Sequence, residues 1–255
     1  MFVIVNLQRY ELKDVILAAG ALTQEISSIV IFIVVFVYLD SGPTTVSIAV
    51  CTSIIFITLF LYSTLIILST RNAGSLMKII SDLLTKSDLI SVIDELKSAV
   101  IFLISGFAVS PILKTLTETI STDTIYAMVT IMMLVHLIFF NYGADAAIVS
   151  TPVALNAAIF AAVCLASRLS TTYHAYALLI FASDIFVLSF ILRKRVRDSY
   201  SDKWQACLTL FFALSSIILL STTVRIIYSM LLLLLLLFIN FICPLGFYQC
   251  QIYKE

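Results

Sequence analysis

Apolar and polar positions alternate along this chain in long blocks, not at single positions. Runs of about twenty mostly apolar residues are separated by short polar joints. Eight such runs stand out, at about 20–39, 44–69, 97–113, 124–142, 144–167, 173–192, 204–222 and 225–247. A helix needs roughly 20 apolar residues to cross about 30 Å of hydrocarbon, so each run is long enough to span a bilayer. Gln24 and Glu25 soften the expected start of the first run, and Asp40-Ser41-Gly42-Pro43 is a turn signal that closes it. Residues 70–96 read differently. Leu76, Met77, Ile79, Ile80, Leu83 and Leu84 share one face at 100° per residue, opposite Lys78, Ser81 and Asp82, which predicts an amphipathic helix that either lies on the cytosolic surface or docks onto a partner subunit. The predicted architecture is an all-α, polytopic membrane helix bundle of about eight spans, with residues 1–255 as one domain.

Composition agrees with that pattern. Apolar residues make up 62% of the chain and charged residues 12%, with a mean hydropathy of +1.13. Soluble domains carry about 45–50% apolar and about 25% charged residues, so this chain lacks the polar surface to cover a globule in water. The net charge is zero and no segment is a basic domain, which argues against a nucleic-acid partner. The five cysteines are scattered through apolar segments without a C-x-x-C pair, and read as reduced thiols.

Charge placement sets the expected orientation. With a cytosolic N-terminus, twelve of the fifteen Lys and Arg residues fall on the cytosolic side, and only Lys114, Arg168 and Arg225 fall opposite. The positive-inside rule then puts both termini in the cytosol. Arg193-Lys194-Arg195-Val196-Arg197 is the densest basic cluster; it fixes topology and attracts anionic headgroups. Ala154, Ala158, Ala162 and Ala166 repeat every four residues, a small-residue ridge that lets helices approach closely.

Chemistry-bearing residues concentrate in the block 110–169. Lys114 and Glu118 stand at i,i+4 spacing opposite an apolar face, among many hydroxyl residues. They read either as a polar stretch setting helix register or as a surface for another subunit or a lipid headgroup. Asp123 is expected to cap the fourth run. Asn141, Tyr142 and Asp145 lie in a short joint on the expected cytosolic side. Asp145 reads either as a helix cap or as an acceptor for a sugar or inositol hydroxyl. His136 has no Cys or Asp at metal-ligand spacing and reads as a core or partner-facing histidine. The chain carries no P-loop, G-x-G-x-x-G, H-E-x-x-H, G-x-S-x-G or D-x-D pattern, and no cofactor or metal is implied.

Within that block the chain resembles the PIG-C family, a membrane component of the phosphatidylinositol N-acetylglucosaminyltransferase complex. The resemblance is carried by Ser110-Pro111, Leu113–Glu118, Ser121–Met128, His136–Phe140, Tyr142-Gly143-Ala144, Ala146–Ser150 and Cys164–Leu169. The chain departs from the family pattern in the order of Asn141 and Asp145 around Tyr-Gly-Ala. Relatives carry a longer hydrophilic N-terminal stretch, so Met1 is expected to begin a short form. The resemblance implies a multi-pass subunit in the endoplasmic reticulum membrane, serving the first step of glycosylphosphatidylinositol anchor synthesis. There N-acetylglucosamine passes from its UDP donor to phosphatidylinositol on the cytosolic face. The resemblance also implies that a separate PIG-A-like subunit is catalytic, with PIG-H, PIG-P, PIG-Q and PIG-Y-like partners. The expected role is a non-catalytic scaffold that helps present phosphatidylinositol. The alternative is a small transporter or lipid scramblase, which the charges inside the block would serve.

Overall fold

The computed structural model describes residues 12–41, 120–142, 150–199, 202–223 and 225–253. The runs expected at 44–69 and 97–113, the amphipathic stretch 70–96, Lys114, Glu118 and Asp145 lie outside the described residues. Those described are helical, with no strand among them. The helices are α1 (Leu12–Ser41), α2 (Thr122–Phe139), α3 (Thr151–Ala166), α4 (Thr172–Ala182), α5 (Ser189–Ser199), α6 (Asp202–Thr223), α7 (Ile226–Leu237) and α8 (Cys243–Tyr253). A π-helical segment at Ser183–Leu188 joins α4 to α5, and another at Phe238–Ile242 joins α7 to α8.

Among the described residues, five continuous helical stretches are long and apolar enough to cross a membrane: Val15–Ser41, Thr122–Phe139, Thr172–Lys194, Trp204–Thr223 and Ile226–Phe247. Helices are what such sequences must form in hydrocarbon, because every backbone polar group has to be satisfied within the segment. The apolar helix Thr151–Ala166 is shorter than the run of 144–167 expected from the sequence. The first span is longer than expected. It begins at Val15, so Gln24 and Glu25 are not edge residues but lie well inside it.

Local signals set the helix ends. The Ser121 hydroxyl accepts from the Thr124 amide at 3.3 Å and caps α2, so Asp123 is not the cap. Asp123 sits in the first turn instead, where its charge favours the positive end of the helix dipole. Pro152 occupies the first turn of α3, where no intrahelical amide bond is lost. The Thr171 hydroxyl accepts from the His174 amide at 3.2 Å and starts α4.

Pairwise contacts give each helix a direction. Glu25 meets His136 and Phe36 meets Tyr126, so α2 runs antiparallel to α1. Glu25 meets Arg193 and Phe32 meets Phe186, so the α4–α5 stretch is also antiparallel to α1. α6 runs parallel to α1, because Gln205 bonds Leu17, Gln24 bonds Thr209 and Tyr38 bonds Thr222. α7 returns antiparallel, bringing Asn240 to Thr23. The start of α1 and the end of the last helix therefore lie at the same end of the bundle. We call this the basic end, since Arg193 and Lys194 are there.

The core lies between α1, α2, α3 and α4, around Phe32, Ile125, Leu178, Phe181 and Phe186. The expected alanine ridge faces inward: Ala154, Ala158, Ala162 and Ala166 are all buried. α2 packs along this ridge. With lipid removing the hydrophobic drive, close packing over small side chains is what holds two such helices together. The poly-leucine run of α7 mostly faces outward, with Leu232 and Leu236 turned in.

Candidate functional site

The most polar part of the interior lies near the basic end, where α1, α2 and α5 converge. Glu25 on α1 is ten residues past Val15, about 15 Å into the span. A carboxylate at such a depth is costly unless paired. It is 1% exposed and has two partners. Its Oε1 lies 2.8 Å from Nη2 of Arg193, and its Oε2 lies 3.2 Å from Nε2 of His136. His136 is fully buried, and its Nδ1 lies 2.9 Å from the Ala154 carbonyl oxygen. Arg193 is held from below: Nε and Nη2 donate to the carbonyl and hydroxyl of Ser189, each at 3.3 Å. Its guanidinium also lies 5.2 Å from the centre of the Phe212 ring, a cation–π distance.

Counting donors and acceptors fixes the charge of this cluster. A carbonyl oxygen only accepts, so His136 Nδ1 carries a hydrogen and donates to Ala154. A contact between Nε2 and Oε2 then needs one proton between them, on either atom. With that proton on His136, the three side chains are an imidazolium, a carboxylate and a guanidinium. With it on Glu25, they are a neutral imidazole, a carboxylic acid and a guanidinium. Either way Glu25, His136 and Arg193 together carry one net positive charge. Three aromatic rings flank it: Phe186 and Phe140 stand edge-on to His136 at 5.2 and 5.4 Å, and Phe190 stands edge-on to Phe140 at 5.2 Å.

A cavity of about 20 Å³ adjoins the cluster, lined in part by Glu25, Arg193, Lys194, Gln24 and Gln205. That is room for about one water-sized molecule. Lys194 is exposed. Tyr142 follows the end of α2 and lies beside the rings that surround this cluster. The Tyr142 hydroxyl donates to the Leu137 carbonyl at 2.6 Å and its ring packs on Phe140 at 5.2 Å. Burial, reinforced by the negative charge of Glu25, pushes the Tyr142 phenol above the ordinary tyrosine range.

Of the residues singled out from the sequence, Tyr142 is thus brought beside the cluster. The pairing of Glu25 with Arg193 is not among the sequence expectations, which make Glu25 a soft helix edge and Arg193 one of a topology-setting run. A signal for Glu25 is nevertheless present: a carboxylate followed by fourteen residues of mostly apolar helix is an intramembrane charge in need of a partner. Its partners are 111 and 168 residues away, which no local pattern shows. His136, read from the sequence as a core or partner-facing histidine, is a core one. No group of three or more His, Cys, Asp or Glu residues suited to a metal occurs among the described residues.

Comparison with known proteins gives the chain its relatives. A family model described as phosphatidylinositol N-acetylglucosaminyltransferase (GPI2) matches residues 1–255. The human C subunit of phosphatidylinositol N-acetylglucosaminyltransferase is 36% identical over 258 residues, covering 98% of this chain and 80% of that protein. The mouse protein of the same name is 36% identical over 257 residues, covering 97% of this chain and 79% of its own. The fission yeast (Schizosaccharomyces pombe) phosphatidylinositol N-acetylglucosaminyltransferase GPI2 subunit is 28% identical over 165 residues, 62% of this chain and 50% of that protein. No solved structure matches the chain significantly. With the match running from end to end, the chain belongs to the GPI2 (PIG-C) family of phosphatidylinositol N-acetylglucosaminyltransferase subunits.

Proposed function

We propose that this chain is a non-catalytic membrane subunit of the complex that transfers N-acetylglucosamine from UDP-N-acetylglucosamine to phosphatidylinositol, the first step of glycosylphosphatidylinositol anchor synthesis. It scaffolds the complex in the endoplasmic reticulum membrane, with both termini cytosolic, and helps present the lipid acceptor. A PIG-A-like glycosyltransferase subunit supplies the chemistry, alongside PIG-H, PIG-P, PIG-Q and PIG-Y-like chains. The observation that carries this reading is how the buried polar groups are used. Glu25, His136 and Arg193 are spent on one another and on backbone carbonyls, bracing three helices at the basic end. A base or nucleophile must be within reach of its substrate, whereas these groups are 0–8% exposed and act as a lock. The family name and the resemblance across block 110–169 support the complex to which the scaffold belongs.

The test is reconstitution. The purified chain, given UDP-N-acetylglucosamine and phosphatidylinositol in vesicles, should show no transfer, while adding it to membranes that lack only this subunit should restore transfer. Turnover by the chain alone would overturn the scaffold reading. In the same membranes Asp145→Ala should lower transfer more than assembly; equal loss of both would make Asp145 a helix cap.

A further inference from the structure

A groove of about 350 Å³ runs between α1, α6 and α7, on the other side of the α1–α6 contact from the Glu25 cavity. Its walls are apolar along most of their length, including Ile16, Leu210, Ile217, Leu233 and Leu237. From Gln205 to Ile217 it follows α6 for twelve residue steps, about 18 Å. That is over half the thickness of a hydrocarbon core of about 30 Å. Its lips are exposed: Leu210, Leu214 and Phe241 all present more than a third of their surface, so an acyl chain could enter sideways from the bilayer.

The groove has polarity along its length. Toward the basic end its lining includes Gln205, Thr209, Thr23 and Asn240, beside the apolar Ile16 and Leu17. Asn240 donates to the Thr23 hydroxyl at 2.6 Å, and Gln24 donates to the Thr209 hydroxyl at 2.7 Å, so the polar side chains along this stretch are held in place. Gln205 lines both the groove and the cavity that holds Arg193 and Lys194. Close approach of α1 and α6 shapes the floor: a Cβ on Gly20 would meet the Thr209 hydroxyl at 3.3 Å. The Glu25 cluster carries a net positive charge, Lys194 adds a second at the cavity, and Arg195 and Arg197 follow in sequence.

We propose that this groove holds one acyl chain of an anionic phospholipid, with the lipid phosphate seated at the Gln205–Lys194 end. Charge complementarity decides the occupant. A neutral lipid would gain nothing from the basic end, whereas juxtamembrane basic clusters draw anionic headgroups. The inference rests on, and deepens, the lipid-presenting part of the function proposed above, since phosphatidylinositol is such a lipid.

The experiment uses the full chain in phosphatidylcholine vesicles containing phosphatidylinositol with a photoactivatable group midway along one acyl chain. Adducts should concentrate on groove residues between Leu210 and Ile217 and between Leu233 and Leu237. Excess phosphatidylinositol or phosphatidylserine should displace the probe; excess phosphatidylcholine should not. Ala213→Phe, which fills the groove, should reduce groove labelling to the level of the outer faces at Phe211 and Ile218. Lys194→Gln should weaken the preference for anionic over neutral competitor about fivefold. Adducts spread equally over groove and outer face, or equal displacement by phosphatidylcholine, would overturn the proposal. Should Ala213→Phe unfold the chain, the adduct map of the unsubstituted protein decides alone. Lost lipid occupancy with intact co-purification of the other subunits sinks this inference only. Failure to co-purify sinks the scaffold reading only.

Discussion

A single carboxylate, Glu25, organises the interior of this protein. Breaking a buried ion pair from one side leaves an uncompensated charge and costs about 3–5 kcal/mol. Glu25→Ala should therefore lower stability by about that much, read as a shift in thermal unfolding in detergent. The double variant Glu25→Leu/Arg193→Leu should lose less than the sum of its two single variants, because neither charge is then stranded. Tyr142→Phe removes the bond to the Leu137 carbonyl, worth about 1 kcal/mol. It should also flatten the alkaline limb of the stability profile. The Tyr142 phenol is raised in the folded state, so it favours folding while protonated. That contribution is fully present below the free tyrosine value of about 10 and fades as pH climbs through the higher folded value. A pH series of unfolding midpoints for both proteins tests this. Much of this is implicit in residue type: an acid within an apolar helix demands a partner. Which partner it finds depends on how distant helices meet, and periodicity within one helix contains no such information.

The elements are the most legible level, because hydrocarbon permits only helices and twenty-residue apolar runs are easy to count. The described spans start and end within a few residues of expectation, except at the two ends of the polar cluster's scaffold. The start of α1 lies earlier than Gln24 and Glu25 suggest, and the start of α3 lies later than its apolar run suggests. A rule that ends a span at a charge fails when the charge is paired inside the bundle. Two π-helical segments have no signature in the sequence. One immediately precedes α5, which carries Arg193; the other contains Asn240, which reaches Thr23. Such bulges commonly reposition side chains at working sites. The alanine ridge of α3, by contrast, is legible at a glance and is buried. Ala158→Leu should push α2 away from α3, costing about 1–3 kcal/mol. Disulfide cross-linking between cysteines placed on facing positions of α2 and α3 should slow in this variant. Unchanged cross-linking would mean the ridge is not close-packed.

For the molecule as a whole, α1 and α6 run one way and α2, α4–α5 and α7 the other, which brings the start and finish of the described chain to one end of the bundle. The proposed orientation puts that end in the cytosol, on the strength of the excess of Lys and Arg. Tags at the two termini should thus be equally open to protease in sealed microsomes before detergent is added. A glycosylation sequon engineered near Ser75 should remain unmodified. Protection of either tag, or glycosylation at that site, would reverse the orientation. Charge counts alone suffice to frame that expectation. Contacts with other subunits have no such marker, since a lipid-facing leucine and a partner-facing leucine look the same in sequence.

The separation between Glu25 and its partners also bears on how the protein is made. Arg193 emerges 168 residues after Glu25. Ribosomes add about 5–20 residues per second, so roughly 8–34 s of synthesis separate the two. Until His136 and then Arg193 follow, α1 carries an acid without its full set of partners. It must take up a proton, linger at the mouth of the translocon, or be shielded by an insertion chaperone until the α4–α5 stretch follows. Among the described helices, α1 is thus begun first and finished among the last.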